Sequence, residues 1–145
     1  TDPTQSVDFT ADSSCRQAEV AQARGHELFF FSPDQLAYDE GRIVAKGHAF
    51  TVQRVQGDHV AMGPIEQVDL AEFDVIWLRQ DPPFDMHYIT STHLLGRLKG
   101  RALVVNDPFW VRNYPEKLLV LDFPDLTPPT MIAHELETIK DVKAR

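Results

Sequence analysis

Apolar residues fall along the chain in two patterns, short unbroken runs and series spaced at three or four, and the two alternate. Ala18, Val20, Ala21 and Ala23 follow the capping side chains of Asp12, Ser13 and Ser14 and lead into Gly25. This predicts a helix over 13–24 that stops at the glycine. Behind it, Glu27-Leu28-Phe29-Phe30-Phe31 has the unbroken character of a buried strand, closed by a Ser32-Pro33-Asp34 turn. Residues 38–63 differ, with β-branched and polar residues alternating over 38–46 and 49–55. Gly41 lies inside the first of these stretches, and Gly47 and Gly57-Asp58 separate short strands, so a hairpin or meander ending at Pro64 is expected.

The unbroken pattern returns over 71–78, where Phe73 and then Val75-Ile76-Trp77-Leu78 make the chain's strongest parallel-strand candidate. Arg79-Gln80-Asp81-Pro82-Pro83 leaves it as a loop, because two prolines do not continue a central strand. Ile89, Thr92, Leu94, Leu95 and Leu98 then mark a helix over 85–98 ended by Gly100. Ala102-Leu103-Val104-Val105 is another short strand, leaving through Asn106-Asp107-Pro108. Pro115 opens a further helix. Ala133, Leu136, Ile139 and Val142 give a last helix over 134–145 with no stop signal. That missing stop, and a first residue that is Thr and not Met, lead to the expectation of a truncated longer protein.

Helices alternating with strands imply an α/β fold with a mostly parallel sheet. In such sheets ligands bind beyond the carboxyl ends of the strands. Two polar, proline-punctuated segments leave strands in that way, 79–85 and 106–117, and chemistry is expected there.

At 145 residues the chain holds one domain's worth of material, and 43% hydrophobic with 25% charged residues is ordinary globular composition. Its longest apolar run falls far short of the roughly 20 residues that span a bilayer. The net charge of -8 disfavours nucleic acid, and the one basic cluster, Arg97, Lys99 and Arg101, reads as a solvated turn. A single Cys15 fits a reducing compartment, and no secretory leader pattern opens the chain, so a cytoplasmic location is expected.

Motif chemistry is sparse. There is no Walker loop, no G-x-G-x-x-G and no G-x-S-x-G, and the histidines at 26, 48, 59, 87, 93 and 134 form no metal-binding pair. No catalytic or metal-ligating residue is nominated. Arg79, just past a buried strand, is placed to hold a carboxylate bidentately or to pair with Asp81 or Asp85. Asp81 and Asp85 read either as paired acid–base carboxylates or as parts of a rigid loop. Asn106-Asp107-Pro108 suits a turn whose Asx side chain caps the next helix. Lys117, in a first helical turn, opposes the helix dipole, so it is either a plain surface lysine or a contact to an anionic ligand.

Four stretches resemble the N-terminal part of bacterial glutathione synthetase, an ATP-grasp ligase. They are Ala21-Gln22-Ala23-Arg24-Gly25-His26-Glu27-Leu28, Leu78-Arg79-Gln80-Asp81-Pro82-Pro83-Phe84-Asp85, Val104 to Pro108 continuing through Val111-Arg112-Asn113-Tyr114-Pro115-Glu116-Lys117-Leu118, and Phe123-Pro124-Asp125-Leu126-Thr127-Pro128-Pro129-Thr130. Asp2-Pro3 resembles that family's Met-Asp-Pro loop. The resemblance implies a three-layer α/β/α, Rossmann-like pre-ATP-grasp domain over 1–116 with a small β-meander insertion, and the truncated start of an ATP-grasp domain over 117–145. It implies ligation of γ-glutamylcysteine and glycine through an acyl phosphate, with ATP consumed. Arg79 then matches a substrate-binding arginine and Lys117 a nucleotide-binding lysine. Mg²⁺ (or Mn²⁺) with ATP would be held by the family's longer chain beyond residue 145, and the family's first strand would precede Asp2. A homo-oligomer is implied, and the 145 residues alone are expected to be inactive. Two alternatives stand beside this one: another ATP-grasp carboxylate–amine ligase, of the ribosomal-protein glutamate or D-amino-acid type, and a non-catalytic binding or oligomerisation module.

Overall fold

A computed structural model describes residues 13–53 and 59–143. The chain divides into two compact units, 1–113 and 114–145. The first unit opens with α1 (Ser13–Ala23), ended by Gly25 at φ +85°. The Gly25 N–H donates to Gln22 O and the His26 N–H to Ala21 O, a paired closure that needs the left-handed backbone glycine adopts without cost.

Four strands follow: β1 (Leu28–Phe30), β2 (Leu36–Asp39), β3 (Arg42–Val52) and β4 (Val60–Asp69). All pair antiparallel around β3. One edge of β3 meets β2 at its start and β1 further along, and the other edge meets β4. Gly41 and Gly47 have the reverse of their expected roles, while the expected break at Gly57-Asp58 lies outside the described residues. Glu40 and Gly41, at φ 45° and 90°, form the tight turn between β2 and β3. Gly47 lies within β3, where an added Cβ would stand 2.1 Å from the Phe30 carbonyl oxygen. Pro64 does not end the meander either. β4 runs through it because the β3–β4 register shifts between His48 and Phe50, and a bulge on an outer strand tolerates a residue without an N–H.

β5 (Val75–Trp77), α2 (Met86–Gly96) and β6 (Leu103–Val105) make a strand–helix–strand unit in which β5 and β6 pair in parallel. The expected mostly parallel sheet is therefore corrected for the described residues: only this pair is parallel. β1, with the unbroken apolar look of a parallel strand, pairs antiparallel with β3 instead. The expected strand over 71–78 is also shorter, because Leu70–Glu72 is a 3-10 turn capped by Asp69, whose carboxylate accepts from the Ala71 N–H at 2.9 Å.

One core joins these parts. Ile43 and Ala45 of β3 pack with Leu70, Ile76 of β5, Leu78, Leu95 of α2, Leu98 and Ala102. Burying each leucine contributes about 1.5–3 kcal/mol. Ser91 and Thr92 are buried on α2 and donate to the His87 and Ile89 carbonyls, so neither hydroxyl is stranded. The unit closes with α3 (Pro108–Asn113). The second unit holds α4 (Glu116–Leu119), 3-10 turns at Val120–Asp122 and Pro124–Leu126, and α5 (Leu136–Lys143). Residues 144 and 145, which the last predicted helix included, lie outside the described residues. No helix among the described residues is long and apolar enough to cross a membrane.

Candidate functional site

Parallel pairing of β5 and β6 in register, Val75 with Leu103 through Trp77 with Val105, brings their carboxyl ends side by side. The Leu78 N–H continues the ladder to Val105 O, and the Asn106 amide reaches Leu78 O at 3.5 Å. The two segments expected to gather at the sheet's carboxyl edge thus leave neighbouring strands. The peptide bonds Pro82-Pro83 and Val105-Asn106, one in each exit, are cis.

Arg79 is the first residue of the β5 exit, and it is exposed. It makes no ion pair with Asp81 or Asp85. Its Nε donates to Ser14 Oγ at 3.0 Å and its Nη2 to Ser13 Oγ at 2.7 Å, both hydroxyls belonging to the first turn of α1. The remaining three guanidinium N–H groups have no partner among the described residues. The serines were legible only as helix-capping residues, since nothing local ties them to an arginine 65 and 66 residues away.

Asp85 is the N-cap of α2 and accepts from the Tyr88 N–H at 3.0 Å. Phe84 packs on the Tyr88 ring, with centroids 4.9 Å apart. Burial holds the Tyr88 hydroxyl above the ordinary phenol range, and the nearby charge of Asp81 adds to it. The cap made by Asp85 fits the rigid-loop alternative for this stretch. At the β6 exit Asp107 accepts from the Phe109 N–H at 2.8 Å and caps α3, as an Asx residue before Pro108 suggests. Gln17 of α1 and Gln80 beside Arg79 each bury an amide oxygen that has no hydrogen-bond partner among the described residues.

Lys117 lies in the second unit, on α4, with Pro115 as N-cap and not as its first helical residue. It pairs with the adjacent Glu116, and both side chains are almost fully exposed, 88% and 80%. Lys117 holds the Glu116 carboxyl below its ordinary range. The dipole conflict expected of Lys117 has little weight in a four-residue helix with a carboxylate beside it. Among the described residues no three His, Cys, Asp or Glu side chains come together to hold a metal ion. The donor set present does not fit Mg²⁺ or Mn²⁺.

The family described as "Prokaryotic glutathione synthetase, N-terminal domain" matches residues 1–112. Among similar proteins, the glutathione synthetase of Brucella melitensis biotype 1 is 48% identical over 142 residues, covering 98% of this chain and 46% of that protein. Those of Agrobacterium fabrum and Rhodopseudomonas palustris are 46% and 45% identical over 95% and 99% of the chain. The chain spans a little under half the length of these relatives, 43–46%.

Proposed function

Because this chain belongs to the family of prokaryotic glutathione synthetase N-terminal domains, we propose that it is the substrate-side part of a glutathione synthetase, an ATP-dependent carboxylate–amine ligase. ATP phosphorylates the cysteinyl carboxylate of γ-glutamylcysteine. The glycine amine then attacks the acyl phosphate, phosphate leaves, and glutathione, ADP and phosphate are released. Arg79 carries the reading for this chain. A guanidinium at the carboxyl end of a parallel strand, with three N–H donors to spare, suits a substrate carboxylate. Lys117 supplies positive charge to the nucleotide.

The β5–α2–β6 unit supports a Rossmann-like, three-layer pre-ATP-grasp domain over 1–116, with the β2–β4 meander as its insertion and 117–145 as the start of an ATP-grasp domain. When bound, Mg²⁺ or Mn²⁺ offsets charge on the phosphate oxygens. Its ligands, and the grip on the ATP phosphates, are assigned to the rest of a full-length enzyme, since the residues described here do not supply them. A cytoplasmic homo-oligomer completes the reading, consistent with the lone Cys15.

The test is ADP release by the full-length synthetase carrying this sequence, given ATP, Mg²⁺ and γ-glutamylcysteine, with and without glycine. Release that depends on glycine is expected. Release that depends instead on another amine acceptor would move the protein to a different ligase of the same fold.

A further inference from the structure

We infer that Ser13 and Ser14 are positioning residues for Arg79, holding one edge of its guanidinium so that the opposite edge is presented to the substrate carboxylate. The inference rests on the proposed ligase function. A guanidinium is planar, and its Nε–H and one Nη2–H point out along the same side. Those are the two donors that meet the serine hydroxyls, at 3.0 and 2.7 Å. Both Nη1 hydrogens and the second Nη2 hydrogen remain, and the Nη1–Nη2 edge carries the parallel pair of N–H groups that grips a carboxylate bidentately.

The choice of partner matters as much as the geometry. An aspartate in the serines' place would hold the arginine and also neutralise it. Two hydroxyls fix its orientation and leave the whole positive charge for a ligand. One of the loop's two carboxylates is engaged elsewhere, since Asp85 caps α2. An exposed arginine loses considerable rotamer freedom when it grips a ligand. Here part of that ordering is done beforehand by a helix contributed from the other end of the unit's sequence, which lowers the cost of binding.

The experiment compares four variants of the full-length synthetase: Ser13→Ala/Ser14→Ala, Ser13→Thr/Ser14→Thr, Arg79→Ala, and the alanine triple variant. The serine-to-alanine pair is expected to raise KM for γ-glutamylcysteine about tenfold, with KM for ATP and kcat nearly unchanged. The threonine pair keeps the hydroxyls and restores KM. In the triple variant the serine changes add almost nothing to the loss from Arg79→Ala, because they act through it. An unchanged KM in the serine pair, or losses that multiply with that of Arg79→Ala, overturns the inference. So does an equal rise in both KM values, which is the mark of general destabilisation. A second readout needs no activity: the Arg79 Nε–H NMR signal of the full-length protein is expected to be sharp and to be lost in Ser14→Ala. Its persistence there overturns the positioning role whether or not the protein ligates glycine. Absence of glycine-dependent ADP release from the unaltered enzyme counts against the ligase reading instead.

Discussion

At position 22 a side-chain amide completes a strand edge. Gln22 Nε2 donates to Val52 O at 2.9 Å, and its Oε1 accepts from the Val52 N–H at 2.7 Å, satisfying the end of β3 beyond its pairing with β1. Replacing Gln22 with Ala leaves both backbone groups part-buried without those partners, so a loss of about 1–3 kcal/mol is expected from urea unfolding. Gln22→Glu should recover part of it at a pH where the carboxyl is protonated. Gly47 presents the opposite constraint, a contact that forbids a side chain. The Cβ of Gly47→Ala would meet the Phe30 carbonyl at 2.1 Å and the Phe29 ring at 2.7 Å, so β1 must shift. A cost of about 1–3 kcal/mol is expected, against a few tenths for Gly63→Ala, whose nearest contact would be 3.1 Å.

At the scale of the element, α2 joins the loop that carries Arg79 to the core. Its start is set by the Asp85 cap and by the Phe84–Tyr88 ring pair, and its buried side by Thr92, Leu95 and the following Leu98. Because Tyr88 titrates higher in the folded chain than in the unfolded one, it adds stability that is complete below the ordinary phenol value near 10 and is lost as pH rises through the raised value. Urea midpoints measured from about pH 8 to pH 11 should therefore fall on the alkaline side. Tyr88→Phe should flatten that fall. A limb equally steep in the Phe variant would assign the loss to other groups.

For the molecule as a whole, the first unit holds the buried core and the site, while no described residue of the second unit is buried. A segment as short as 114–145, with no buried apolar residue among those described, is expected to be largely unfolded as an isolated peptide by circular dichroism. The 145-residue chain by itself is expected to release no ADP in response to γ-glutamylcysteine and glycine, since its described residues assemble no metal-binding cluster for the phosphates. Turnover by this chain alone would refute that and would require a nucleotide site within these residues.

Features that depend on a few neighbouring residues were legible before any fold was known. The Gly25 stop of α1, the Asp85 start of α2, the Asp107 turn, the runs that became β5 and β6, and Arg79 at a strand's carboxyl end all follow from side chains within about one helical turn, or from the two-residue period of a strand. The family resemblance was readable for the same reason, since it lies in contiguous stretches such as Asp81-Pro82-Pro83-Phe84-Asp85. What required the tertiary structure were choices made between distant segments. β1 has the composition of a parallel strand, yet the partner offered to it is the antiparallel β3, and apolar content alone does not encode direction. Gly41 and Gly47 are indistinguishable as residues; one turns the chain because a hairpin closes there, and the other stays extended because the backbone of Phe30 passes against it. Asp81 and Asp85 were the partners nearest to Arg79 in sequence, but folding brought it Ser13 and Ser14. Sequence proximity sets what a side chain can reach, and only packing decides what lies within hydrogen-bonding distance of it.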